Sequence, residues 1–226
     1  MNADWALATF CAAAYLIGSL PVGYWVTRWR RLGLDIRGYG SGNVGTANIY
    51  RHAGFALAAL IGPIQFVQGL LPVLLAHYVG DVTGASLVLV GIIAVIGNGW
   101  SLFLGFDGGR GVAVSTGAVA GLNVIALAVL LLCFAAGALR GRIAEGVLAG
   151  FMVLPAVGVV LAVTPLRAGW ALPVGLAVLL LLILARRLQG VVGDVNHFGH
   201  RQHVIFDRIL HDRRPGRPLV GHRTDS

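Results

Sequence analysis

Long runs of uncharged, mostly apolar residues are the feature that most constrains how this chain can fold. Segments such as 147–163 and 171–185 carry no charged side chain, and a membrane-spanning helix needs roughly 20 mostly apolar residues. Only 12% of the residues are charged, whereas a soluble domain usually carries about 25%. The chain is therefore predicted to be an all-α, polytopic integral membrane protein.

The distribution of arginine predicts which side of the membrane each loop faces. Six apolar stretches stand out, at residues 5–27, 53–78, 85–104, 112–139, 147–163 and 170–185. The loop 28–51 carries five arginines and the residues before Trp5 carry none, which places the N-terminus outside under the positive-inside rule. Eight of the 17 arginines follow Ala185. We therefore expect a single transmembrane domain over residues 1–226 that ends in a basic cytoplasmic tail, 188–226.

The stretch 112–139 is predicted to cross the membrane twice. A single crossing would place Arg140, Arg142 and the arginine-rich tail outside, against the positive-inside rule. A turn at Gly-Leu-Asn, residues 121–123, removes both conflicts and leaves Arg167 as a lone outside arginine. The first arm, 112–120, is too short to span the ~30 Å apolar core. We therefore predict about seven transmembrane helices, including one short inserted arm.

The first inside loop has the composition of an anion-binding site. Residues 35–51 have the sequence DIRGYGSGNVGTANIYR, in which the glycines allow backbone amides to converge on an anion. The candidate ligands are the neutral donors Ser41, Asn43 and Asn48 and the planar guanidinium groups of Arg37 and Arg51. A loop that only sets topology would need the arginines but not Gly-Ser-Gly-Asn.

The second inside loop, 97–112, ends in a second candidate anion site. Gly108, Gly109, Arg110 and Gly111 lead directly into the short arm. Backbone amides and the helix dipole attract anions to a helix N-terminus, and Arg110 adds a full charge. The alternative is a plain turn with one arginine that sets topology.

Other polar residues are assigned more simply. His197, His200 and His203 lie in the tail without a cysteine and with few carboxylates, so we expect no metal site. His200 is a candidate general base or anion contact, or part of a solvated tail. Gln65 and Gln68 share one helical face and are expected to form interhelical hydrogen bonds.

At these loops the chain resembles the bacterial acyl-phosphate-dependent glycerol-3-phosphate acyltransferases. The family shows an early Gly-Ser-x-Pro-x-Gly, present here at 18–23, and a Gly-Ser-Gly-Asn loop ending in arginine, present at 40–51. Its Gly-Phe-x-Gly-Gly-(Lys/Arg)-Gly-Val loop corresponds to 105–112. The resemblance covers nearly the whole chain in order and spacing.

The resemblance implies seven helices, a cytoplasmic active site and no cofactor. It implies acyl transfer from acyl phosphate to the sn-1 hydroxyl of glycerol 3-phosphate, which gives lysophosphatidic acid. Ser41 and His200 are then the candidate catalytic residues. Arg37 and Arg51 are expected to bind one phosphate, and the 108–111 amides with Arg110 the other, while Ser41, Asn43 and Asn48 orient the glycerol hydroxyls. Expected partners are membrane lipids and the soluble enzyme that makes acyl phosphate, with no nucleic acid.

The alternative function is a non-catalytic or transport protein that uses the same anion sites. A transporter would favour paired half-helices in two repeats, whereas the sequence indicates one broken arm. The chain also departs from the family pattern: Asn98 replaces a His, Asp107 a Lys, Gln65 and Gln68 an Asp and a Lys, and His203 an Asn. These departures affect the site and not the fold.

Overall fold

The computed structural model describes residues 3–30, 35–164, 169–189 and 205–211, and regular secondary structure within these ranges is helical. The helices are α1 (Ala3–Ser19), α2 (Val22–Arg30), α3 (Thr46–Ala53), α4 (Phe55–Tyr78), α5 (Gly84–Gly99), α6 (Val112–Leu122), α7 (Val124–Leu139), α8 (Ile143–Val163) and α9 (Ala171–Leu188). Short 3-10 helices lie at Ile36–Gly38 and Leu102–Leu104, and a π-helical turn lies at Asp207–His211. The predicted all-α fold is confirmed.

Several helices have the length and composition of membrane spans. Within the described ranges, five segments are long and apolar enough: Asp4–Trp29, Phe55–Tyr78, Gly84–Leu104, Ile143–Val163 and Ala171–Leu188. Large apolar side chains such as Leu132 and Leu181 are 70% and 62% exposed, as expected for residues that face lipid. The protein is therefore a multi-pass membrane protein. The count of seven crossings stays a prediction, because α6 and α7 are shorter.

The predicted break in the stretch 112–139 is present. Helix α6 ends at Leu122 and α7 begins at Val124. The backbone of Asn123 between them is extended, and its side-chain oxygen accepts hydrogen bonds from the amides of Ile125 and Ala126, each at 3.0 Å. Asn123 is therefore the N-cap of α7. Helix α6 has 11 residues, which corresponds to about 16 Å and confirms a short arm.

The apolar stretch 5–27, predicted as one span, lies within the segment Asp4–Trp29, which is long and apolar enough to cross a membrane, and it contains a break that the sequence analysis did not predict. Helix α1 ends at Ser19 and α2 begins at Val22, after Pro21, which lacks the backbone N–H that a continuous helix would need. Gln68 of α4 stabilises this break, since its side-chain amide donates to the carbonyl oxygens of Ile17 at 2.7 Å and Leu20 at 2.9 Å. The two carbonyl oxygens also accept from the backbone amides of Leu20 and Val22, so Gln68 gives each of them a second hydrogen bond where the regular helix ends.

Close packing of α4 against α6 brings the two glycine-rich loops together. A Cβ added at Gly69 would lie 1.9 Å from the carbonyl oxygen of Val114, and one added at Gly117 would lie 1.9 Å from that of Phe66. Glycine at both positions therefore lets the two backbones touch. A Cβ added at Gly121 would lie 2.8 Å from the Val73 side chain, so α4 and α6 run in the same direction. Because the first loop precedes α3 and α4 and the second precedes α6, both loops lie at the same end of the bundle.

The first loop is packed rather than loosely exposed. Ile36 and Ile49 are fully buried, and Val44 is 3% exposed. These side chains form an apolar cluster with Ala58 and Ile61 of α4. The loop is therefore a fixed part of the fold and can hold polar side chains in a defined geometry.

Candidate active site

A cavity of about 650 Å³ lies between the two glycine-rich loops and the start of α8. Its polar lining includes Arg51, Arg110, Arg187, Asn43, Gln65 and Asn98, and its apolar lining includes Phe55, Ala58, Ala113, Ile143 and Val147. None of the described residues that line it carries a carboxylate. The cavity therefore suits a ligand with an anionic group and an apolar part.

Asn48 organises the first loop. Its side-chain nitrogen donates to the carbonyl oxygens of Asn43 at 2.9 Å, Tyr39 at 3.1 Å and Ile36 at 3.3 Å. Its side-chain oxygen accepts from the amide of Ser41 at 3.2 Å. Asn48 is 1% exposed and does not line the cavity. The structure thus gives this predicted ligand the role of holding the loop in shape.

Arg37 is also engaged within the loop. Its guanidinium forms a two-pronged contact with the Asp35 carboxylate, at 3.0 Å from Nε to Oδ1 and 2.8 Å from Nη2 to Oδ2, and lies over the Tyr24 ring. The hydrogen bond from Arg37 is the main reason why the pKa of Asp35 is lowered. Arg37 is not among the residues that line the cavity, whereas Arg51 is.

Ser41, Asn43 and Arg51 have three different environments. The Ser41 hydroxyl is buried and has no hydrogen-bond partner among the described residues. The Asn43 side-chain oxygen accepts from the amide of Gly45 at 3.0 Å, and the residue lines the cavity. Arg51 lies in α3 and lines the cavity as well. Asn43 and Arg51 thus both line the cavity, and their contacts with substrate stay predictions.

Gln65 links the first loop to the membrane helices. Its side-chain oxygen accepts from the Thr46 hydroxyl at 2.8 Å and from the Thr46 amide at 3.3 Å, while its nitrogen donates to Val44 at 3.4 Å. Together with the bonds of Gln68 to the end of α1, these contacts confirm the predicted interhelical hydrogen bonds.

The glycines of the second loop serve close packing more than ligand contact. A Cβ at Gly108 would lie 2.1 Å from the backbone oxygen of Asn98, and one at Gly109 would lie 2.6 Å from its side-chain oxygen. The Gly109 amide donates to the Asn98 backbone oxygen at 2.8 Å, so this amide is not directed at a ligand. Neither glycine lines the cavity.

The end of the same loop does face the cavity. Gly111 has a φ of 75°, which favours glycine, and it is the N-cap of α6. Arg110 is 6% exposed and, like Gly111, lines the cavity. A guanidinium therefore lies at the N-terminus of the short arm, as the sequence predicted.

Arg186, whose role the sequence did not indicate, joins the second loop to α9. It donates to the carbonyl oxygens of Gly108 at 2.7 Å and Gly109 at 3.0 Å, and it contacts the Asp107 carboxylate at 3.2 Å. Its guanidinium also lies over the Trp100 ring. Asp107, which departs from the family pattern, therefore pairs with an arginine. Arg186 follows an apolar stretch directly, so the sequence alone suggests an arginine that only sets topology.

The tail residues His200 and His203 lie outside the described residues, and the role of His200 stays a prediction. His52 is a buried histidine that the sequence did not single out. It is 4% exposed and lies against Gly40, whose added Cβ would be 2.2 Å from the His52 ring nitrogen Nε2. Burial, and secondly the charge of Arg51, lower the pKa of His52.

The helices and the cationic cavity together define a multi-pass membrane protein that can hold an amphiphilic anion. Comparison with known proteins gives the family. The model of the glycerol-3-phosphate acyltransferase family matches residues 8–191, and the chain belongs to this family.

Similar sequences carry the same name. Glycerol-3-phosphate acyltransferase 4 of Dehalococcoides mccartyi is 34% identical over 203 residues, which cover 89% of this chain and 86% of the relative. Glycerol-3-phosphate acyltransferase 1 of Deinococcus radiodurans is 39% identical over 147 residues, which cover 62% of this chain and 73% of the relative.

Solved structures of a family member show the same fold. The crystal structure of the integral membrane glycerol 3-phosphate acyltransferase PlsY in its glycerol 3-phosphate form is 25% identical, with a TM-score of 0.72 over 86% of this chain and 94% of that one. The lysophosphatidic acid form has a TM-score of 0.69 at 23% identity and covers 84% and 92% of the two chains.

Proposed function

We propose that this protein transfers a fatty acyl group from acyl phosphate to the sn-1 hydroxyl of glycerol 3-phosphate and releases lysophosphatidic acid. Family membership supports acyl transfer to glycerol 3-phosphate. Acyl phosphate as donor is an inference from the resemblance and from the cavity.

The composition of the cavity carries the proposal. It joins three arginines to an apolar wall formed by α4, α6 and α8, and its volume lies within the range of about 300–1,000 Å³ that is usual for small-molecule sites. An acyl phosphate has a phosphate that arginine can bind and an apolar chain that membrane helices can receive. Glycerol 3-phosphate supplies a second phosphate for the same cationic region.

The candidate residues of the two loops are assigned as follows. Arg51 binds one phosphate, while Arg110 and the Gly111 end of α6 bind the other. Asn43 orients the glycerol hydroxyls, and Ser41, two residues earlier in the chain, stays a candidate catalytic residue. Asn48, Arg37, Gly108 and Gly109 keep the two loops in shape.

The reaction needs no covalent intermediate on the protein. The sn-1 hydroxyl oxygen attacks the acyl carbonyl carbon, the bond from that carbon to the phosphate oxygen breaks, and inorganic phosphate leaves. The hydroxyl proton passes to a phosphate oxygen or to His200. Because acyl phosphate has a good leaving group, positioning and charge stabilisation by the arginines supply most of the catalysis.

The two glycine-rich loops are assigned to the cytoplasmic side and the N-terminus to the outside, because arginine-rich loops favour the cytoplasmic side of a membrane. Single cysteines test this orientation in a protein whose Cys11 and Cys133 are replaced by alanine. Gly38 has no atom within 4 Å of an added Cβ, and Thr83 is exposed at the other end of α4. An impermeant thiol reagent added outside should label Thr83→Cys and not Gly38→Cys; the opposite pattern would overturn the orientation.

The donor is tested with purified protein in detergent or vesicles. Glycerol 3-phosphate is offered with acyl phosphate, acyl-coenzyme A or acyl-carrier protein, and lysophosphatidic acid is measured by mass spectrometry. We expect product with acyl phosphate alone. Product only from a thioester donor would refute the donor, and no product from any donor would favour a non-catalytic or transport role.

A further inference from the structure

Arg187 is a buried arginine that lines the cavity and that neither the sequence nor the assignment above uses. It lies in the last turn of α9 and is 2% exposed. Its Nη1 donates to the carbonyl oxygen of Ile209, and its Nε is buried without a hydrogen-bond partner. Among the described residues, no carboxylate forms an ion pair with it. A buried charge without a partner is costly, which points to an anion in the cavity.

The π-helical turn Asp207–His211 holds Arg187 in place. Arg208 in this turn is fully buried and donates to the carbonyl oxygens of Arg187 and Gln189 at the end of α9. Arg187 in turn donates to Ile209. The end of α9 and the turn Asp207–His211 are therefore joined by hydrogen bonds donated from each side. Arg187 therefore cannot swing freely into solvent.

Arg187 directly follows the residue that joins the end of α9 to the second loop. Its neighbour Arg186 contacts the carbonyl oxygens of Gly108 and Gly109 at 2.7 and 3.0 Å. Arg110 is the next residue along that loop and lines the same cavity. Arg51 approaches the cavity from α3 instead.

The charge of the substrates calls for a third cation. A phosphate monoester carries about −1.5 to −2 charges at neutral pH, so two substrates together bring about −3 to −4. Arg51 and Arg110 supply only two positive charges, and Arg187 supplies another within the same lining.

We propose that Arg187 binds the phosphate that Arg110 binds, and that the turn Asp207–His211 positions it there. This inference rests on the proposed acyltransferase function. It makes the C-terminal segment beyond α9 part of the substrate site through Arg208, which acts as a positioning residue.

Steady-state kinetics with each substrate varied in turn test this proposal. The variants are Arg187→Gln, Arg187→Lys and Arg110→Lys, and the control is Arg140→Gln, which removes an exposed arginine outside the cavity. We expect Arg187→Gln to raise the KM for one substrate roughly 10- to 100-fold, since it loses charge-assisted hydrogen bonds. Arg110→Lys should raise the KM for the same substrate, and Arg140→Gln should behave as wild type.

Two results for Arg187→Gln would overturn the proposal. One is a KM within twofold of the Arg140→Gln control for both substrates. The other is a raised KM only for the substrate whose KM Arg110→Lys leaves unchanged. If Arg187→Gln does not fold, Arg187→Lys must still weaken inhibition by inorganic phosphate. Binding of glycerol 3-phosphate and of inorganic phosphate, measured by the shift in the thermal unfolding temperature, separates the proposed acyltransferase function from the phosphate-binding role of Arg187. A wild type that binds but does not turn over would refute the proposed function, while binding weakened by Arg187→Lys would still support this role.

Discussion

Replacing Asn48 by aspartate tests whether this residue shapes the loop or contacts substrate. The change keeps the side-chain size and the oxygen that accepts from Ser41, but it removes the nitrogen that donates to the carbonyl oxygens of Ile36, Tyr39 and Asn43. Asn123 provides a matched control, because only its oxygen is used, by the amides of Ile125 and Ala126.

The size of the effect follows from the lost bonds. The carbonyl oxygens of Ile36 and Tyr39 also accept from the backbone amides of Tyr39 at 3.2 Å and Gly42 at 2.8 Å, so the Asn43 carbonyl is the one that depends on Asn48. A buried carbonyl left without a donor costs about 1–3 kcal/mol, so Asn48→Asp should destabilise the protein by about 1–3 kcal/mol. For a chain of this size that lowers the melting temperature by roughly 2–12 °C. Asn123→Asp should change stability little, because aspartate is an equally good N-cap.

The assay is thermal unfolding of both variants in detergent, with binding of glycerol 3-phosphate measured in parallel. We expect Asn48→Asp to lose stability and binding together, and Asn123→Asp to keep both. If Asn48→Asp unfolds at the wild-type temperature but no longer binds glycerol 3-phosphate, Asn48 is a substrate ligand and its structural role is refuted.

Three further perturbations test the second loop, the buried histidine and the helix packing. Arg186→Met should lower both activity and melting temperature, because the carbonyl oxygens of Gly108 and Gly109 lose their donor. Asp107→Asn removes only a partly exposed ion pair and should lower the stability by at most about 1 kcal/mol. Equal losses of stability in the two variants would contradict the role of Arg186. Because the pKa of His52 is lowered, its protonation favours the unfolded chain, and stability should fall as the pH drops below about 6.5. Melting temperatures from about pH 8 to about pH 5 should therefore fall less for His52→Gln than for wild type, and parallel curves would rule out His52. Gly117→Ala should destabilise α6 by about 1–3 kcal/mol or more, since its Cβ would meet the backbone oxygen of Phe66, and an unchanged melting temperature would show that the helices can separate.

Much of the fold could be predicted because a membrane leaves simple signals in the sequence. Apolar length gave the helices, and the conflict between arginine placement and a single crossing of 112–139 located the break at Asn123. The break after Ser19 was not predicted because residues 5–27 carry no charged side chain and because Gln68, which stabilises the break, is distant in sequence.

The candidate site was predicted only in part, because composition shows which groups are present but not which way they point. Arg51, Arg110 and Asn43 line the cavity as expected. Asn48 and Arg37 have the right chemistry, but loop carbonyls and Asp35 engage them. The roles of Arg186 and Arg187 depend on contacts across the bundle, which no local pattern reveals.

Comparing Arg51→Lys with wild type is the most direct test of the central claim, acyl transfer in this cavity. The protein is purified from membranes, and formation of lysophosphatidic acid from acyl phosphate and glycerol 3-phosphate is measured. Lysine keeps the charge but loses the planar fork, which should cost about 2–3 kcal/mol, or roughly 30- to 150-fold in kcat/KM, with membrane expression unchanged. An active wild type with this loss would support the account. Equal activity of the two proteins would remove Arg51 from the site, and an inactive wild type would contradict the proposed function.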